Sequence, residues 1–187
     1  SLFLKVMAAG WVGSLHLEGD IRLYSRAIKF SPNNWRFYNT RAIAFHKLGR
    51  YNEALSDFER ALELVPERWE IYRNRGLVYF ELEKYSKALR DFERATNKWP
   101  KVGDEFLLRA RVYMALENHV RAMEDFTADL KRNPKRDASY LGRANALCRL
   151  GQLEDAIQDA EKAISINPNN EEALLLAGSC YSMLARN

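Results

Sequence analysis

Apolar residues recur along this chain at helical spacing, in runs that are each broken at the same interval. Tyr38, Ala42 and Phe45 form one such run, and Ala54, Phe58 and Ala61 form the next. Steps of three and four residues place each run on one face of an amphipathic helix. The breakers are prolines: Pro32, Pro66, Pro100, Pro134 and Pro168 lie 34 residues apart, with none left over. Proline removes a helical hydrogen bond and clashes with the preceding turn, so these five cut the chain into equal helical units.

Setting each proline at position 32 gives units 1–34, 35–68, 69–102, 103–136 and 137–170, with 171–187 as the first helix of a sixth or a capping helix. Position 4 is then Tyr38, Tyr72, Phe106 and Tyr140, and position 8 is Ala42, Gly76, Ala110, Ala144 and Gly178. Position 20 is Ala54, Ala88, Ala122 and Ala156; position 24 is Tyr24, Phe58, Phe92, Phe126 and Ala160. Position 27 is Ala27, Ala61, Ala95 and Ala163, with Asp129 as the exception. Positions 4, 8 and 11 share a face of a first helix, and positions 20, 24 and 27 share a face of a second. Small residues let the two backbones approach, and the aromatics fill the space around them. Gly49, Gly151 or the polar pair Glu83–Lys84 marks the turn between the two helices. One hairpin cannot bury both of its faces, so stability comes from stacking neighbours.

The unit length and the pattern Tyr-x-x-x-Ala/Gly, then Ala-x-x-x-Phe-x-x-Ala, then Pro, resemble the tetratricopeptide repeat over essentially the whole chain. The resemblance implies an all-α, right-handed superhelical solenoid of stacked antiparallel helix pairs, with about 11 helices. Unit 1–34 is a degenerate first repeat: its Gly19-Asp20 turn comes about four residues late, and Asp20 replaces the small residue.

Charges add a second periodicity. Arginine fills position 7 as Arg41, Arg75, Arg109 and Arg143, and aspartate fills position 23 as Asp57, Asp91, Asp125 and Asp159. Repeat 1 lacks both, having Met7 and Leu23. Joint presence and joint absence predict that each arginine pairs with the aspartate of its own hairpin, rather than forming a ladder that grips a polyanion.

The net charge of +4, spread over 29 basic and 25 acidic side chains, gives weak support for a nucleic-acid partner. Two cysteines, Cys148 and Cys180, and no Asn-x-Ser/Thr sequon fit an intracellular, cytoplasmic setting without disulfides. The opening SLFLKVMAAGWVG resembles a signal peptide in its small residues, but Lys5 interrupts the apolar run and no basic region precedes it. A first repeat helix is the expectation there, with no membrane anchor. His16, His46 and His119 share no face for a metal, and no phosphate loop, nucleophile elbow or zinc motif occurs. Glu81 and Asp104 are acids without a nucleophile beside them in the pattern, so no enzyme and no cofactor are expected. Trp11, Trp35, Trp69 and Trp99 are read as packing or rim residues.

In the tetratricopeptide family the concave surface is lined by positions 2, 5, 9, 12 and 13 of the first helices. On that resemblance the partner-binding set here is Arg36, Asn39, Ile43, Lys47, Arg73, Leu77, Phe80, Leu107, Arg111, Met114, Leu141, Asn145 and Arg149, with Asn74 added from position 6. Apolar anchors among arginines and asparagines suit an extended or helical protein segment with some acidic character. Family members that clamp a chaperone's C-terminal carboxylate use lysine, asparagine and arginine at positions 5 and 9, then 6, then 2 and 6. Here those positions hold Asn39, Ile43, Asn74, Asp104 and Leu108, of which Asn74 alone matches, so the clamp is not supported. Starting one repeat earlier gives Lys5, Ala9, Thr40, Glu70 and Asn74, which does not make it either. The function expected is a non-catalytic scaffold or adaptor within a larger assembly. The alternatives are an RNA-binding helical solenoid, for which the groove has few stacking aromatics beyond Phe80 and His46, or the targeting arm of a longer enzyme. The 171–187 helix carries Leu174, Ala177, Gly178 and Tyr181 where a following helix would pack, which suggests an end-to-end contact.

Overall fold

The computed structural model describes residues 2–98 and 104–186, so Trp99 and Pro100 lie outside the described residues. The described residues form ten helices: α1 (Leu2–Phe30), α2 (Trp35–Lys47), α3 (Tyr51–Leu64), α4 (Trp69–Glu81), α5 (Tyr85–Lys98), α6 (Glu105–Ala115), α7 (His119–Arg132), α8 (Asp137–Arg149), α9 (Leu153–Ile166) and α10 (Glu171–Leu184). They gather into two compact units, Ser1–Lys87 and Ala88–Asn187.

One device makes every hairpin turn. The residue after the helix cap takes a left-handed conformation at Gly49 (φ 72°), Glu83 (φ 56°), Glu117 (φ 56°) and Gly151 (φ 78°). The next amide then reaches back to a carbonyl five residues earlier, Arg50 to Phe45, Lys84 to Tyr79, Asn118 to Tyr113 and Gln152 to Leu147, at 2.8–3.0 Å. These back-bonds satisfy the last carbonyls of each first helix.

The same position in unit 1–34 is Leu15, and there the expected hairpin does not form. Left-handed backbone costs a residue with a Cβ about 1–2 kcal/mol, and leucine has no local hydrogen bond to offset it. Gly19 arrives after the helix has already propagated, and a Cβ added to it would meet nothing within 4 Å. So α1 continues through Gly19 and Asp20 to Phe30 as one helix. This correction to the first repeat accounts for ten helices where about eleven were expected.

The two glutamates at left-handed positions lead to a stability prediction. Glu117→Gly should raise stability by about 1 kcal/mol, and Gly151→Ala should lower it by a similar amount. Urea unfolding followed by circular dichroism checks both. A destabilised Glu117→Gly variant would contradict the left-handed turn.

Within the first unit, Ala42, Ala54, Phe58 and Ala61 are fully buried. The hydroxyls of Tyr38 and Tyr72 each donate to the carbonyl of the preceding repeat's proline, Pro32 and Pro66, at 3.0 Å. Each of these prolines thus ends a helix and offers an acceptor to the next. In the second unit, Ala110, Tyr113, Ala122, Phe126 and Ala146 pack together. Two further clusters follow, one around Leu147, Ile157 and Cys180 and one around Ala144, Ala160 and Ala177.

Asp129, the acid at an alanine position, is 1% exposed and fully engaged. It accepts from Arg136 Nη1 at 2.8 Å and Asn133 Nδ2 at 3.2 Å, and also from the buried Ser139 hydroxyl. A buried carboxylate persists when its lone pairs are met in this way.

The repeating charges form the expected hairpin pairs. Arg41 meets Asp57 through two bonds of 2.7 Å; Arg109 meets Asp125 at 2.7 and 2.6 Å; Arg143 meets Asp159 at 2.6 and 2.8 Å. The spare Nη1 of each arginine reaches Ser25, Thr96 or Thr127 of the preceding repeat. Bonding to the aspartate holds all three guanidinium groups above their usual pKa, against the opposing effect of burial. The arginines also lie beside position-4 rings, Arg41 by Tyr38, Arg109 by Phe106 and Arg143 by Tyr140, at 5.5–6.0 Å. Fork geometry and ring contact together explain why lysine does not stand here. The fourth expected pair, Arg75 with Asp91, has one residue in each unit and stays an expectation.

Candidate protein-binding faces of the two units

In the first unit, the candidate residues lie along α2 and α4. Arg36 and Lys47 are exposed, while Asn39, Ile43, Arg73, Asn74, Leu77 and Phe80 are half-buried. The Asn74 amide donates to Asn39 Oδ1 at 3.4 Å, and Arg73 Nη1 donates to Asn74 Oδ1 at 3.3 Å. A polar line therefore crosses from α2 to α4 between the apolar side chains. Arg36 stacks on Trp35 at 4.9 Å, and Arg68 approaches the same ring at 5.1 Å. Phe80, expected to supply apolar contact, has its ring 5.7 Å from that of Tyr85. Beyond it, His46 Nε2 lies 3.0 Å from Glu81. The Tyr51 hydroxyl is pushed up in pKa by its hydrogen bond to the same carboxylate. Glu81 thus serves a local polar cluster.

In the second unit, three first helices present matching stripes. Leu107 and Arg111 lie one turn apart on α6; Ala138, Leu141, Gly142 and Asn145 follow i, i+3, i+4, i+7 on α8; Glu172, Leu175 and Leu176 follow on α10. With the Phe126 ring they line one open cleft of about 630 Å³. Four of the residues expected from sequence, Leu107, Arg111, Leu141 and Asn145, meet here. Met114 and Arg149 do not line it. Leu107 and Met114 also pack against the cluster around Phe126, so these two candidates serve the core as well as the face.

The cleft holds residues that the family positions missed: Phe126, Gly142, Glu172, Leu175 and Leu176. A Cβ on Gly142 would collide with the ring of Phe126, so the missing side chain is what brings α8 flush against that ring. The clue in sequence was a glycine inside a helix, where the register puts Thr40, Asn74 and Leu108.

Cys148 and Cys180 are free thiols packed in one cluster. Burial first, and then the hydrogen bond with Cys148, raise the Cys180 thiol pKa to about 11. No group of three His, Cys, Asp or Glu able to hold a metal occurs among the described residues. No helix among them is long and apolar enough to cross a membrane. On α10, Ala177 and Cys180 are buried against the chain itself, while Leu174 and Tyr181 stay 50% exposed.

The family model of the tetratricopeptide repeat matches residues 36–101, and a second model of the same repeat matches residues 138–170. Together they span just over half of the chain. This chain is a tetratricopeptide-repeat (TPR) protein. Its all-α fold is similar to that of solved TPR structures. A TPR protein from Parabacteroides merdae aligns with a TM-score of 0.80 and 22% identity, over 96% of this chain and 71% of its own. YrrB, a TPR protein with an unusual peptide-binding site, aligns with a TM-score of 0.77 and 23% identity, over 87% of this chain and 84% of its own. The first TPR of Spaghetti (RPAP3), bound to the HSP90 peptide SRMEEVD, gives 0.61 and 26%, over 63% of this chain and 93% of its own. No curated protein matches this TPR chain in sequence.

Proposed function

We propose that this TPR protein is a non-catalytic interaction scaffold whose first-helix faces take a segment of another protein. The observation that carries this reading is the second-unit cleft, where Leu107, Arg111, Leu141 and Asn145 converge from two helices. Apolar walls with a few polar groups at the rim match the anatomy of peptide-recognition surfaces. In the first unit, the stripe of Arg36, Asn39, Ile43, Lys47, Arg73, Asn74, Leu77 and Phe80 is the equivalent face. Two solved relatives, YrrB with its peptide-binding site and the Spaghetti repeat with its HSP90 peptide, support peptide capture by this fold. Asn74 already bonds Asn39 and Arg73, and the other clamp positions lack the required lysine and arginine, so a carboxylate-tail clamp is not the mode proposed.

The test uses the full chain and twelve-residue peptides selected against it from a displayed random library. Combined Arg111→Ala, Leu141→Ser and Asn145→Ala should weaken the selected peptides by about tenfold or more, with the helical spectrum retained. Glu59→Ala with Lys162→Ala, on second helices, should leave affinity within about twofold. Survival of binding in the first variant and its loss in the second would move the site to the other face. Tight oligouridine binding with a steep salt slope would instead favour the RNA reading.

A further inference from the structure

Two exposed helix faces each present one half of a hairpin. In α2, α6 and α8 the hairpin face is covered by the second helix that follows, α3, α7 or α9. Position 8 there, as Ala42, Ala110 and Ala144, is fully buried, and position 11, as Phe45, Tyr113 and Leu147, is buried too. Helix α10 repeats the pattern with Leu174, Gly178 and Tyr181 at positions 4, 8 and 11, and all three are exposed. A Cβ added to Gly178 would meet nothing within 4 Å. The Tyr181 ring is already held in place, its hydroxyl donating to Glu161 at 2.7 Å. Helix α10 packs on α8 and α9, and no described helix stands on it as a second helix.

The other half lies on α1. Its stretch 15–30 carries the second-helix positions of the first repeat, but no turn separates it from a first helix. Position 20 is the exposed Asp20, where Ala54, Ala122 and Ala156 are fully buried. Position 23 is Leu23, 61% exposed, where Asp57, Asp125 and Asp159 are buried beside their arginines. An apolar side chain in water, at a position that later hairpins bury, marks a face that another helix can cover.

The charge columns decide which helix fits. A first helix with arginine at position 7 would bury its guanidinium against Leu23 without an aspartate, which is strongly unfavourable. Helices α2, α4, α6 and α8 carry that arginine, as Arg41, Arg75, Arg109 and Arg143, whereas α10 carries Ala177. A second helix with aspartate at position 23 would in turn find no cation on α10, and α1 offers leucine there. Each face rejects the charged pattern of the other repeats and suits its counterpart. In the antiparallel order of a hairpin, Glu171 and Glu172 in the first turn of α10 fall beside the exposed Arg26 and Lys29 late in α1. Gly178 in place of the usual alanine leaves room for Asp20 in place of the usual alanine opposite. Ser179 and Ser182, both exposed on α10, bring hydroxyls for the Asp20 carboxylate.

We propose that copies of this chain associate head to tail, with α10 of one copy seated as a first helix on residues 15–30 of the next. The contact joins two different faces, so it can repeat from copy to copy. One helix-on-helix contact falls below the about 1,200 Å² at which stable interfaces begin, so association belongs at about 10–100 μM. It leaves the cleft open, whose apolar wall on α10 is Leu175 and Leu176.

Sedimentation velocity on the full chain, from about 5 to about 500 μM, should show a mass that grows with concentration. Leu23→Glu and Leu174→Glu, both at exposed positions, should each hold the protein monomeric with its helical spectrum kept. Mixed in equal amounts, the two variants should form a dimer and nothing larger. The first retains a working α10 face and the second a working α1 face, so one junction forms between them. A monomer across the whole range, association that survives either replacement, or a mixture that stays monomeric overturns the proposal. A dimer that Leu174→Glu dissociates and Leu23→Glu leaves intact would mean that α10 meets α10, and would also overturn it.

Discussion

Asp125→Ala should cost this protein about 3 kcal/mol of stability, more than loss of an exposed ion pair would. Arg109 and Asp125 are joined by two short bonds, with side chains 18% and 7% exposed. Removing the carboxylate leaves a guanidinium between Phe106 and Thr96 with its strongest partner gone. Desolvation of that stranded charge is the main cost, rather than the lost attraction itself. A change of this size lowers the melting midpoint by about 6–12 °C in a chain of this length. Arg109→Leu should cost less, because it removes the charge together with its bonds. The double variant should be milder than the sum by more than about 1 kcal/mol. Additive effects in that cycle, or an Asp125→Ala cost below about 1 kcal/mol, would mean that the pair behaves as a surface bridge. Peptide affinity should stay unchanged, since neither residue lines the cleft.

The parts legible in sequence were those that repeat. Four described prolines end helices where the period placed them, and Gly49 and Gly151 supply the left-handed turns. In three repeats the Arg and Asp columns became bonded pairs, because both sides of one interaction recur together. What escaped was what happens once. Leu15 at the turn position turns an expected hairpin into a continuous helix, and no comparison of later repeats reveals that, because they carry Gly or Glu there. Asp129 read as a bare exception, since its partners Asn133, Arg136 and Ser139 lie around the next turn rather than in its own column. The cleft was half legible. Family positions supplied Leu107, Arg111, Leu141 and Asn145, all on first helices. Behind them stands a second-helix core residue, Phe126, which reaches α8 because position 6 of the α8 repeat lacks a side chain.

The Gly142–Phe126 contact carries the second large effect, and it runs against helix propensity. In an open helix, Gly142→Ala would stabilise by about 1 kcal/mol. Here the new Cβ meets the Phe126 ring too closely for any real contact, and the ring is 1% exposed in a packed cluster with Ala110 and Ala122. Either the ring leaves its position or α8 moves away from α7. Overpacking of this kind costs about 1–3 kcal/mol beyond the propensity gain. The expected net result is therefore a destabilised protein, with a lower urea midpoint and an unchanged slope. Phe126→Leu alone should also destabilise, by about 1–3 kcal/mol, through the cavity it leaves. Combined, the alanine methyl enters space that the ring vacated, so the double variant should lose clearly less than the two single costs added together. A neutral or stabilised Gly142→Ala would mean that α8 does not lie flush on Phe126, and simple additivity of the two changes would mean that they do not share that space.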